Sequence, residues 1–230
     1  MLPKNLKYGS KVESAPARSS RSNIAPQNGT GNYNLGDNII INIPTRANLV
    51  MVPTENYLKF NVKVTNATGG SCAQRWDSCG AHGLIQRIRV YHGSNLLEDI
   101  DNYGMLTKML FDLQVPTDAT YGKYNVMCGT RNDLVVQRTY ADAAALTTGV
   151  SNGTLSAIQV NSGESLGVGN GNNSTFTYCL NLVSVVGSLC SQSYFPLFAC
   201  TSSPLRVEIQ LIDAISKGLN DTVENGLSIQ

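Results

Sequence analysis

Charge is what this chain has least of. Only 14% of its 230 residues are Asp, Glu, Lys or Arg, against roughly 25% in ordinary soluble proteins. A surface poor in charge must be built from Asn, Ser, Thr, Gly and Gln, which lose water at little cost, as suits a protein that buries its exterior against neighbours. The net charge of +1 excludes a global basic field for nucleic acid. Histidine occurs twice, at His82 and His92, roughly ten residues or 33 Å apart at strand rise. That leaves a cupin-type metal site, which needs clustered imidazoles, without support, and no G-x-S-x-G nucleophile elbow is present. None of the cysteines Cys72, Cys79, Cys128, Cys179, Cys190 and Cys200 forms a C-x-x-C pair, so a zinc site is not indicated and reduced thiols are expected. The start, MLPKNLKYGSKVES, has no apolar leader segment, and no run of roughly 18 apolar residues exists to span a membrane. We therefore expect synthesis in the cell interior, no cofactor and no catalysis.

What is present is alternation. Ile39, Ile41 and Ile43 share one face of a strand over 38–44, and Leu58, Phe60, Val62 and Val64 share one over 57–64. Leu84, Ile88 and Val90 oppose Arg87 and Arg89, and His92-Gly93-Ser94-Asn95 then signals a turn into a short strand at 96–100. Phe176, Tyr178, Leu180 and Leu182 alternate again, as do Leu205, Val207, Ile209 and Leu211. A period of two marks half-buried antiparallel strands. About seven of them with long loops argue an all-β antiparallel sandwich. One segment changes period. Tyr103, Leu106, Leu110 and Leu113 recur at threes and fours, predicting one short amphipathic helix over 101–114. Asp99 or Asp101 is expected to cap it, Glu98 joining them in an acidic cluster, and the leucine stripe to seal one end of the sandwich. Leu106→Asp should then abolish folding or assembly.

Residues 1–36 lack periodicity and carry Lys4, Lys7, Lys11, Arg18 and Arg21 against the single acid Glu13, which reads as a flexible basic arm. Such an arm could touch nucleic acid weakly through phosphates or thread under neighbouring subunits. Residues 117–173 read as a long polar loop, with a helical turn at 142–146. Its Gly167-Val-Gly-Asn-Gly171 lacks the strand-to-helix context of a phosphate loop. Trp76, the only tryptophan, sits in a loop reading as a packing anchor, or as a candidate hot spot at an interface. Six N-x-[ST] sequons are read as chance products of an Asn- and Ser-rich chain.

At Gly83–Leu113 the stretch GLIQRIRVYHGSNLLEDIDNYGMLTKMLFDL resembles the major capsid proteins of polinton-like viruses and their virophage relatives. Two more segments are similar: PTENYLKF from Pro53, and YFPLF from Tyr194 followed by SPLRVEIQL from Ser203. The resemblance implies a viral jelly roll of the double-jelly-roll lineage, three chains per capsomer, an icosahedral shell and residence in the virion. There is room for one jelly roll over 37–230: either the first of two, the reading favoured because the closing strand near Leu227–Gln230 has barely begun, or a single-jelly-roll relative. The alternative is a jelly-roll binding module for a receptor or carbohydrate, with Tyr121, Tyr124 and Tyr140 as candidate ligand-facing aromatics.

Overall fold

In the computed structural model of the chain, residues 18–29, 31–65, 75–130, 162–165, 174–188, 194–214 and 226–229 are described. Among the described residues nine strands and three α-helices follow in the order β1 (Asn38–Ile43), β2 (Leu58–Thr65), β3 (Arg75–Asp77), β4 (Ile85–His92), β5 (Asn95–Asp101), α1 (Tyr103–Gln114), α2 (Thr117–Tyr121), α3 (Lys123–Cys128), β6 (Ser162–Ser165), β7 (Ser174–Leu180), β8 (Leu205–Leu211) and β9 (Gly226–Ile229). They form a four-stranded sheet in the order β1-β8-β4-β5, a three-stranded sheet β7-β2-β9 and a two-stranded ribbon β3-β6, all antiparallel. The late strand β8 sits between β1 and β4, so the connections are long crossovers of the Greek-key kind that jelly rolls use.

The alternation in β8 is complete. Leu205, Val207, Ile209 and Leu211 are buried, and Arg206, Glu208 and Gln210 are half-buried on the other face. Its register builds two apolar ladders across the sheet, Ile39–Ile209–Ile88 and Ile41–Val207–Val90. Cross-strand pairs of this kind contribute about 0.2–1 kcal/mol each. Opposite them stand Val62 of β2 and Tyr178 and Leu180 of β7, in one continuous core. A cavity of about 170 Å³ remains between the layers, lined by residues of both sheets such as Ile39, Phe60 and Ile209. Two sheets closing on one core make the antiparallel sandwich that the alternation predicts.

On the outer face of the four-stranded sheet the polar halves of these strands pair with one another. Arg89 and Arg206 both reach Glu208, at 3.3 and 3.2 Å, and Arg206 lies 4.6 Å over the Tyr91 ring. The β4–β5 hairpin turns at Gly93-Ser94, with His92 opposite Asn95. Gly93 has φ +60°, which a residue with a Cβ adopts at a cost.

Two expectations are corrected here. From Gln27 onward the expected flexible arm is held to the sandwich. Gln27 N–H donates to the Ile40 carbonyl at 2.7 Å, the Asn28 side-chain oxygen accepts from Ile40 N–H at 3.0 Å, and Gly36 N–H donates to Ile212. This strap satisfies backbone groups at the edge of β1 that would otherwise invite another strand. The expected loop after Pro116 begins instead with α2 and α3, two helices too short for a periodic signal. The segment at 226–229, read as the start of a strand, is the four-residue strand β9 paired with β2, Val62 lying opposite Ile229. The helical turn at 142–146 and the glycine-rich segment at 167–171 lie outside the described residues.

Candidate assembly surface

Helix α1 connects the core to the surface. Neither Asp99 nor Asp101 caps it. Its N-cap is Asn102, in the left-handed region at φ 51° with no capping side chain. Asp99 is taken by Arg87, across the β4–β5 ladder, at 2.7 and 2.5 Å. That pairing holds the Asp99 carboxyl below the usual carboxylate range and raises the arginine. Asp101 accepts from the Asn102 N–H at 2.9 Å. Glu98 reaches away from the helix, its carboxylate accepting from the buried Ser184 hydroxyl and from Val185 N–H. The acidic cluster thus divides into an ion pair, a local turn and a clamp on the loop after β7.

The buried face of α1 is not the leucine stripe. Tyr103 and Thr107 are fully buried, and Leu110 and Phe111 pack partly against the core. Leu106 stands 36% exposed and Leu113 80% exposed. The helix is turned by its aromatic contacts. Phe111 meets the His82 ring edge-on at 5.4 Å and the Tyr124 ring at 5.0 Å. Lys108 reaches Asp77 of β3 at 2.6 Å, tying the same side of the helix to the ribbon. With Leu106 half outside, Leu106→Asp is no longer expected to abolish folding.

Beneath α1 lies a buried polar node. The Tyr103 hydroxyl accepts from Val183 N–H at 2.9 Å and lies 3.1 Å from His82 Nδ1. A neutral imidazole can accept a hydrogen bond from the phenol there, so the Tyr103 hydroxyl both accepts and donates. Burial pushes His82 down from 6.5 to about 4 and Tyr103 up to about 12. The unfolded chain takes up a proton on His82 near pH 6.5, the folded chain only near pH 4. The associated stability is complete above pH 6.5 and is lost as pH falls through that window. We predict a loss of about 3 kcal/mol between pH 7 and pH 4 from this residue. Denaturant unfolding at both pH values should show a smaller pH dependence in His82→Gln by about that amount; equal pH dependence would refute the assignment.

The other expected site residues separate. Trp76 is fully buried in β3, so it is a packing anchor and not an exposed hot spot. Its indole N–H donates to the Tyr178 hydroxyl at 2.8 Å, and the rings meet edge-on at 5.7 Å. Arg21 pairs with exposed Glu55 at 2.7 Å, and Arg18 is exposed. Lys4, Lys7 and Lys11 lie outside the described residues, as does Tyr140. Tyr124 packs inward on Phe111, and nothing is described of the Tyr121 side chain. His92 contacts Ser202 at 3.4 Å on the surface, remote in chemistry from His82. Among the described residues no three His, Cys, Asp or Glu side chains converge as metal ligands, and Cys79, Cys128, Cys179 and Cys200 are free. No helix among them is long and apolar enough to cross a membrane.

Sequence reasoning missed the outward-facing apolar residues. Met105, Leu106, Met109 and Leu113 form a continuous stripe along the outer side of α1. At 1.5 Å rise per residue it extends about 12 Å. A second patch forms where Met51 bridges Phe195 and Phe198 N–H donates to Leu49. It places Val50, Val52, Tyr194 and Phe198 at the surface, the tyrosine 72% exposed. Contiguous apolar patches on a soluble domain mark contact surfaces. The signal for the first was legible as Met105 and Met109 flanking the leucines, on a helix whose buried side already had Tyr103 and Phe111.

No family model matches the chain, and no curated protein shows a significant match. Solved structures do. The chain is similar to a protein of the PBCV-1 virus capsid, with TM-score 0.35, 11% identity, and 94% of this chain and 43% of that chain covered. It is similar to VP54 of PBCV-1, as fitted into a reconstruction of the virophage Sputnik, with TM-score 0.36, 12% identity, and coverages of 94% and 43%. It is also similar to the STIV MCP, with TM-score 0.37, 15% identity, and coverages of 90% and 47%. The chain spans less than half the length of each of these viral capsid proteins.

Proposed function

We propose that this chain is a structural subunit of a viral capsid, the first jelly roll of a major capsid protein of the double-jelly-roll lineage. It assembles with copies of itself into trimeric capsomers and an icosahedral shell, carries out no catalysis, and resides in the virion after synthesis inside the host cell. The observation that carries the reading is the apolar stripe Met105–Leu106–Met109–Leu113 on a chain of which only 14% is charged. Such a face gains from burial at about 25 cal/mol per Å² of apolar surface and has little charge around it to resist desolvation. Its occupant is a neighbouring copy, the partner implied by the resemblance of 83–113 to capsid proteins. The basic arm with Lys4, Lys7, Lys11, Arg18 and Arg21 contacts packaged nucleic acid weakly through phosphates or threads under neighbouring subunits.

Native mass spectrometry tests this directly. The unsubstituted chain should appear as trimers or larger shells, and Met109→Asp/Leu113→Asp as monomers. Because both residues face outward, the double variant should remain folded, with the far-UV circular dichroism of the unsubstituted chain. Monomers from the unsubstituted chain would oppose the reading. Trimers persisting in the variant would remove α1 from the interface.

A further inference from the structure

Two cysteines flank the place where α3 ends against the short 3-10 turn Gly80–Leu84. Cys79 is the residue that precedes that turn, and Cys128 is the last residue of α3. Gly80 lies so close to α3 that a Cβ on it would stand 2.0 Å from the Cys128 carbonyl oxygen. The backbone of the residue next to Cys79 is therefore packed against the backbone of Cys128. Both thiols are buried and free, and both act electrostatically on the Tyr103 hydroxyl, which places them around one node. Their present partners are weak: Cys79 lies 3.9 Å from the Gly80 carbonyl and Cys128 donates to the Tyr124 carbonyl at 3.1 Å.

We infer that Cys79 and Cys128 form a redox-controlled cross-link that staples α3 to the 3-10 turn. The reaction is exchange with a low-molecular-weight disulfide such as oxidised glutathione. One protein thiolate attacks a sulfur of the reagent, breaking its S–S bond and releasing one thiol. The second protein thiolate displaces the other. One S–S bond forms in the protein, two S–H bonds are lost, and the reagent leaves as two thiols. Burial pushes both protein thiols up to about 12, so neither reacts while α3 is seated. Exchange waits on local opening of α3, a helix of six residues. Once closed, the link ties off the chain segment that holds β4, β5 and α1. The inference is independent of the assembly reading, since it concerns contacts inside one chain.

The test is peptide mapping after incubation of the native protein with oxidised glutathione, followed by unfolding and alkylation. A Cys79–Cys128 linked peptide should accumulate slowly, and faster in mild denaturant. The oxidised protein should melt about 6–12 °C higher, reversibly with dithiothreitol. Cys79→Ser and Cys128→Ser should each lose that rise. Both cysteines fully alkylated, stable glutathione adducts on them, or linkage of either to another cysteine would overturn the inference. The map of the unsubstituted protein decides even if a serine variant fails to fold.

Discussion

Trp76→Ala should lower stability by about 3–5 kcal/mol, the range for truncating a large aromatic in a packed core. Trp76 has no exposed surface, and its whole side chain would be replaced by a void at the junction of the β3-β6 ribbon with β7. The edge-on contact with Tyr178 and the indole hydrogen bond to the Tyr178 hydroxyl would go with it. Trp76→Phe separates these contributions. It keeps much of the volume and loses the donor, so it should cost less than half as much. Chemical denaturation of both variants is the measurement. An alanine variant within about 1 kcal/mol of the parent would place the indole outside the core.

Gly80→Ala should be nearly as damaging, by at least about 3 kcal/mol, although it adds one methyl group. Two costs coincide. The residue has φ +61°, where a Cβ is strained, and the new carbon would fall 2.0 Å from the Cys128 carbonyl oxygen and 2.8 Å from its carbon. The neighbour is backbone, so no side-chain rotation relieves the clash; α3 must move off the turn. Gly93→Ala is the comparison. It shares the positive φ, at +60°, but its added carbon meets the Ser203 side chain at 3.2 Å, which can give way. It should cost only about 1 kcal/mol. Thermal unfolding of the two variants side by side reads the difference, and equal losses would mean that strain alone, without the α3 contact, sets the effect.

The strands were legible in the sequence because a half-buried strand must alternate. In β8 every odd position from Leu205 to Leu211 is apolar, and every one is buried. β2 and β4 read the same way, as did the Gly93 turn. The helix was legible as a helix but not in its orientation. Two apolar stripes run along α1, and periodicity does not say which of them faces inward. His82 and Tyr124, at 29 and 13 residues from Phe111, settle it through ring contacts. The caps were misread for a related reason. Asp99 beside a helix start is a plausible cap until the β4–β5 ladder, which sets Asp99 opposite Arg89 and Arg87 opposite Asp101, brings the Arg87 guanidinium diagonally within reach of its carboxylate. Trp76 found its partner Tyr178 at a separation of 102 residues, which no local pattern reports.

The sequence by itself determined the class of the molecule: antiparallel strands, a low-charge exterior, a helix after the hairpin and a chain without clustered histidines. Each of these is a local or summed property, set by side-chain polarity at a period of two or 3.6. Tertiary structure alone decided the strand order β1-β8-β4-β5, the division of the acidic cluster, the burial of Trp76 and His82, and the side of α1 left exposed. These depend on which distant residues compete for the same contact. That competition is resolved by packing and by the need to satisfy each buried polar group, and both act only after the chain has closed on itself.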